Sequence, residues 1–125
     1  LAAQYSKYEP IPDNFVNGRN SLGENIGDVG GLSMAYHAYK LSLNGKEAPV
    51  IDGVTGDQRF FLAWAQVWKE KRTEQSMLNQ LRAGTHAPGR YRAQAPRNHD
   101  AWYKAFDVKP GDELYLPEDQ RVRIW

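Results

Sequence analysis

The sequence predicts a mainly α fold, and three segments carry that reading. Ile26, Val29, Leu32, Tyr36, Tyr39 and Leu43 recur at three- and four-residue steps, the mark of an amphipathic helix with one buried stripe. Phe60, Phe61, Trp64, Ala65, Val67 and Trp68 form a wide apolar face in a second segment, and a third, 74–82, is stopped by Gly84. With 125 residues, 41% hydrophobic and 25% charged, the chain reads as one globular domain. A chain of this length buries roughly two-thirds of its unfolded surface, enough for a core without covalent staples.

In chain order, residues 1–23 hold Pro10, Pro12, Gly18 and Gly23 among polar residues without periodicity, and read as an irregular lead-in. The first helix is predicted over 24–43 and ends at Asn44-Gly45. Gly30 and Gly31 each cost about 1 kcal/mol inside it, so a neighbouring backbone is expected to lie close there. The second helix is predicted over 57–72, with Lys69-Glu70-Lys71-Arg72 closing it at the end favoured by the dipole. A shorter helix follows over 74–82, then a loop over 84–96 around Pro88-Gly89. A last helix is predicted over 98–106 with Trp102 and Phe106 inward, and the tail is turn-rich. No internal repeat or low-complexity segment is present.

Composition excludes several chemistries. The absence of cysteine removes a disulfide framework, a thiolate zinc site and a cysteine nucleophile. Sixteen basic against fifteen acidic residues leave a charge of +1, which by itself implies no strongly polyanionic or polycationic partner. The run from Phe60 to Ala65 falls far short of the ~20 apolar residues that cross a bilayer. No signal peptide is visible, and a chain opening at Leu1 is expected to begin inside a longer gene product.

Few residues could carry chemistry. Glu24 and Asp28 are four apart at the start of the first helix, about 40° apart in azimuth, so both carboxylates leave one face. Ser21-Leu22-Gly23-Glu24 also fits a capping box, in which Glu24 only reaches back to the Ser21 amide. His37 lies about 220° around that helix from Glu24 and reads as a surface or packing residue. His99, beside Asp100, reads as a solvated polar position. His86 stands in a loop flanked by Gly84, Pro88 and Gly89, the setting in which catalytic groups concentrate, although an idle loop histidine fits the same pattern. Arg82, Arg90, Arg92 and Arg97 fall in a stretch without acidic residues, with Tyr91 among them. They read as a solvated face or a carboxylate clamp rather than a nucleic-acid site. No phosphate-binding loop, nucleophile elbow or His-x-x-x-His pair is present.

Those features, in that order, resemble a known family. Gly23-Glu24-Asn25-Ile26-Gly27-Asp28-Val29-Gly30-Gly31 closely resembles the Gly-Glu-Asn-Ile-Ala-Asp-x-Gly-Gly motif of the neprilysin and endothelin-converting-enzyme family of zinc metallopeptidases. The stretch from Phe60 to Trp68, the His86-Ala87-Pro88-Gly89-Arg90-Tyr91-Arg92 loop and the ending Arg123-Ile124-Trp125 look like further landmarks of its C-terminal catalytic region. Asn17-Gly18 and Leu22 fit the lead-in. The resemblance thus covers nearly the whole chain.

It implies that residues 1–125 are the C-terminal helical part of a thermolysin-like (gluzincin) catalytic domain, with a His-Glu-x-x-His helix upstream. Glu24 resembles the third ligand of one zinc ion, and Asp28 the carboxylate that accepts the free ring N–H of a ligand histidine. His86 resembles the residue that hydrogen-bonds the oxyanion, and Arg92 the one that grips a substrate backbone carbonyl. In such peptidases zinc polarises the scissile carbonyl and activates water, while the upstream glutamate is the general base. The expected partners are a peptide substrate and the rest of the same polypeptide, with no nucleic acid and no membrane contact from this segment. A non-catalytic peptide-binding or scaffold domain of the same fold is the alternative. Lys69, Val108 and Val122 stand where vertebrate relatives have cysteines, which implies a bacterial-type member. Location is not fixed, with export favoured over the cytoplasm. The segment alone is expected neither to hold zinc tightly nor to cleave peptides.

Overall fold

The computed structural model describes residues 1–124, and within them the chain is helical without strands. In order come α1 (Ala2–Tyr5), α2 (Leu22–Ser42), α3 (Gly56–Val67), α4 (Glu74–Ala83), α5 (Gly89–Arg92) and α6 (Asp100–Phe106). Short 3₁₀ turns span Ala95–Asn98 and Glu118–Gln120. Of the expected landmarks, Trp125 lies outside the described residues.

The long periodic segment forms α2, which turns its Val29 and Leu32 side into the core. It stops where Asn44 and Gly45 take left-handed backbone conformations, φ 51° and 75°. The capping box expected at its start does not form. Ser21 Oγ instead donates to the Asn17 carbonyl at 3.1 Å and accepts from Asn25 Nδ2 at 3.0 Å, which leaves Glu24 free to face elsewhere. A complete capping box stands at α3, where Thr55 Oγ1 accepts from Gln58 N at 3.2 Å and Gln58 Oε1 accepts from Thr55 N at 2.9 Å.

Three expectations need correction. Helix α3 ends at Val67 rather than at 72: Trp68 leaves helical geometry with ψ 5°, and Lys69 to Arg72 form a connection rather than a last turn. The predicted 84–96 loop contains α5 and the start of a 3₁₀ turn, because Pro88 and Pro96 occupy helix-entry positions where a proline lacks nothing the helix needs. The lead-in is not peripheral. Tyr5 is 1% exposed on α1, and with Val16, Ala87 and Tyr91 it forms one core cluster, where Tyr8 stacks on Tyr91 at 4.4 Å. A Cβ at Gly18 would run into the Ala2 carbonyl oxygen, so the two ends of the lead-in close on one another.

The second cluster joins α2, α3, α6 and the Ala95–Asn98 turn. Val29, Leu32, Phe61 and Ala95 are buried, with Tyr36, Trp64, Trp102 and Phe106 packed on them as expected. Full burial of a side chain such as Phe61 contributes about 2–3 kcal/mol. At Gly31 a Cβ would meet nothing within 4 Å among the described residues, whereas Gly30 is buried, so the close approach expected at this pair is not found at Gly31. Together the clusters fix the start of α2 against the 84–98 segment, and that junction holds the candidate site.

Candidate functional site

Glu24 and Asp28 leave α2 one turn apart, as their spacing predicts, and meet two side chains from the 86–92 segment. Glu24 is half exposed, and its Oε2 lies 3.0 Å from His86 Nε2, which is exposed to a similar degree. Asp28 is 7% exposed and binds Arg92 with both oxygens: Nε donates to Oδ2 at 2.7 Å and Nη2 to Oδ1 at 2.6 Å. This two-point fork is the strong form of the ion pair. It holds the Arg92 proton more tightly than in free arginine, first through the Asp28 hydrogen bonds, against the opposing effect of burial. Arg92 Nη2 also lies 3.8 Å from Glu24 Oε2, so one guanidinium spans both carboxylates. The four residues singled out by sequence therefore stand at one place.

Local structure explains how 86–92 is held. Asn20 Nδ2 donates to the Gly84 carbonyl at 2.8 Å, and Gln80 Nε2 to the His86 carbonyl at 3.1 Å. Pro88 opens α5, whose four residues carry Arg92 at the far end. Residues missed in sequence complete the setting. The Trp68 ring lies 3.9 Å from the Arg92 guanidinium carbon, Trp64 Nε1 donates to the Arg92 carbonyl at 3.1 Å, and Glu70 Oε1 accepts from Gly89 N at 2.8 Å. Periodicity presents both tryptophans as apolar lining of α3 and Glu70 as a solvated charge, so no local signal links them to Arg92.

The other candidates separate. Asn25, unassigned from sequence, is fully buried and bonded to Ser21. Arg97 donates to the Leu114 carbonyl at 2.8 Å and to Tyr8 Oη at 3.0 Å, so it is spent inside the fold while Arg92 turns to Asp28, and the expected arginine face is not a single surface. His37 is exposed, as expected. His99 is not a solvated position: its Nδ1 is 3.4 Å from Ser33 Oγ, its Nε2 is buried without a partner among the described residues, and burial lowers its pKa below the usual value. The ring sits at the junction of α2 and α6, which its sequence neighbours do not reveal.

Among the described residues no group of three or more His, Cys, Asp or Glu side chains is placed to hold a metal ion. Two grooves of about 550 and 520 Å³ exist, and neither is lined by Glu24, Asp28, His86 or Arg92. The candidate site is an open face carrying a half-exposed carboxylate paired with an imidazole, beside a buried ion pair.

The family model described as "Peptidase family M13" matches residues 1–122. The chain belongs to peptidase family M13. Within the family it is 37% identical over 130 residues to neprilysin-2 of Caenorhabditis elegans, covering all of this chain and 17% of that protein. It is 38% identical to human endothelin-converting enzyme 1, covering all of this chain and 16% of that protein. The crystal structure of the Mycobacterium tuberculosis zinc metalloprotease ZMP1 with an inhibitor superposes with a TM-score of 0.97 at 48% identity, over all of this chain and 20% of that one. The chain thus spans about a sixth of the length of these curated M13 relatives. The mainly α character and the neprilysin-like family expected from the motifs both stand, and the bacterial neighbour agrees with a bacterial-type M13 member. No described helix is long and apolar enough to cross a membrane.

Proposed function

We propose that this chain is the C-terminal part of the catalytic domain of a zinc endopeptidase acting on short peptides. Glu24 supplies one zinc ligand, and the remaining ligands come from the protein upstream. What supports the reading most is the convergence at Glu24: a half-exposed carboxylate 3.0 Å from a loop imidazole, with a buried carboxylate one helical turn behind it. The donor set fits as part of a metal site rather than a whole one. Glu24 offers a hard oxygen ligand on the open side of α2, with no backbone donor tying it down. Bound zinc supplies polarisation of the scissile carbonyl and activation of water.

The chain's own residues divide the remaining work. Each Asp28 oxygen that holds Arg92 keeps a lone pair, so Asp28 can also accept the ring N–H of a ligand histidine and fix its tautomer. Arg92 spends Nε and Nη2 on Asp28, while its Nη1 has no partner among the described residues and is the donor left for a substrate carbonyl. The stack on Trp68 holds that fork in one plane. His86, on the exposed side, donates to the oxyanion that develops on the scissile carbonyl, a contact stronger in the transition state than in the bound substrate.

Zinc-dependent cleavage of a quenched fluorescent peptide by the full-length protein tests the reading. The expected result is activity abolished by a chelator and restored by zinc. A full-length protein that binds peptide and never cleaves it would establish the non-catalytic alternative instead.

A further inference from the structure

Glu70 belongs to no helix, yet both of its oxygens are engaged. Oε1 accepts the Gly89 backbone N–H at 2.8 Å, and Oε2 receives Arg72 Nε at 2.7 Å. Gly89 is the first residue of α5, three residues after His86 and three before Arg92. The backbones approach so closely that a Cβ at Gly89 would lie 2.7 Å from the Trp68 carbonyl oxygen and 2.9 Å from Glu70 Oε1. The α3–α4 connection and the end of α3 therefore hold α5 at three points: its first amide through Glu70, its last carbonyl through Trp64 and its last side chain through Trp68. The tryptophans also bury apolar surface. The Glu70 side chain is 30% exposed and carries a charge, and an ordered carboxylate gives up rotamer freedom and hydration that only its partners return.

We propose that Glu70 is a positioning residue for the peptidase reaction: it clamps the start of α5 and so sets where His86 and Arg92 stand relative to Glu24 and Asp28. The proposal rests on the zinc-peptidase reading above. Glu70 itself touches neither substrate nor metal. Its effect reaches the reaction through the placement of 86–92, and a displacement of about 1 Å in such groups is enough to cost up to 10²-fold in rate.

Glu70→Ala and Glu70→Gln in the full-length protein test it. The glutamine oxygen can still accept from Gly89 N–H, so E70Q is the conservative rescue. E70A lowers kcat about tenfold with KM changed less than threefold, because the His86 contact matters most in the transition state. E70Q stays within threefold of wild type, and bound zinc is the same in all three. Amide hydrogen exchange across 89–92, which does not depend on activity, speeds up about tenfold in E70A alone. Wild-type turnover in E70A, an E70Q as slow as E70A, or unchanged exchange in 89–92 would overturn the role of Glu70. A wild-type protein that holds zinc and cleaves no peptide would instead refute the peptidase reading, so the two failures are distinct.

Discussion

Replacing Asp28 with Asn tests the ion pair on which the site is built. The change keeps the shape but removes the charge facing Arg92, and turns one acceptor into a donor aimed at a donor. The two bonds lost or weakened are 2.7 and 2.6 Å long, between side chains 14% and 7% exposed, so solvent screens them little. Removing one partner of a buried pair costs about 3–5 kcal/mol. The low end applies here, because Glu24 remains 3.8 Å from Arg92 Nη2 and keeps a counter-charge in place. A loss of about 3 kcal/mol shifts the urea midpoint of the 125-residue chain by about 1.5–2 M at a slope of about 1.5–2 kcal/mol/M. Tryptophan fluorescence is the suitable probe, since the Trp68 ring lies against the guanidinium. Arg92→Met and the double variant complete a thermodynamic cycle, with an expected coupling of about 2 kcal/mol. A midpoint moved by under about 0.3 M, or a coupling under about 0.5 kcal/mol, would refute the argument that this pair organises the junction.

Three further outcomes follow from the same geometry. His86→Ala in the full-length protein lowers kcat about 10²–10³-fold while bound zinc, measured by plasma mass spectrometry, stays at wild-type level; loss of zinc would contradict the role given to His86. Burial lowers the His99 pKa, so the unfolded chain takes up this proton first. Stability then falls as pH drops below about 6.5 towards the folded pKa, and H99Q flattens that slope in a urea series across pH 5–7. Asp100 is held below its usual pKa first by the Arg121 hydrogen bond and then by Arg123. Its contribution is present above about pH 4 and disappears as pH falls through the lower folded value, a loss that D100N removes from the acid limb of the same series.

Much of this was legible in sequence wherever a helix carries its own pattern. The apolar stripe of α2, its stop at Asn44-Gly45 and the span of α4 all follow from spacing and turn residues, because local propensity and burial agree there. The same four-residue spacing put Glu24 and Asp28 on one face. Elsewhere tertiary contacts overrode local signals. Lys69 to Arg72 read as a dipole-favoured helix end, yet the chain leaves the helix at Trp68 so that Glu70 can reach Gly89. Pro88-Gly89 read as a turn because proline and glycine mark both turns and helix entries, and here they open α5. Tyr5 gave no periodic signal, since a single turn of helix has no repeat to detect. The Arg92–Asp28 pair joins residues 64 positions apart, and no local pattern encodes it. The motif resemblance brought these residues together in prospect, and the packing supplied the contacts between them.

The most direct test of the account is the zinc content of the full-length protein and its Glu24→Gln variant, by plasma mass spectrometry after dialysis against metal-free buffer. The account predicts about one zinc per wild-type chain, much less in E24Q with peptide cleavage lost in parallel, and almost none in the isolated 125 residues. An E24Q protein that keeps both its zinc and its activity would contradict it.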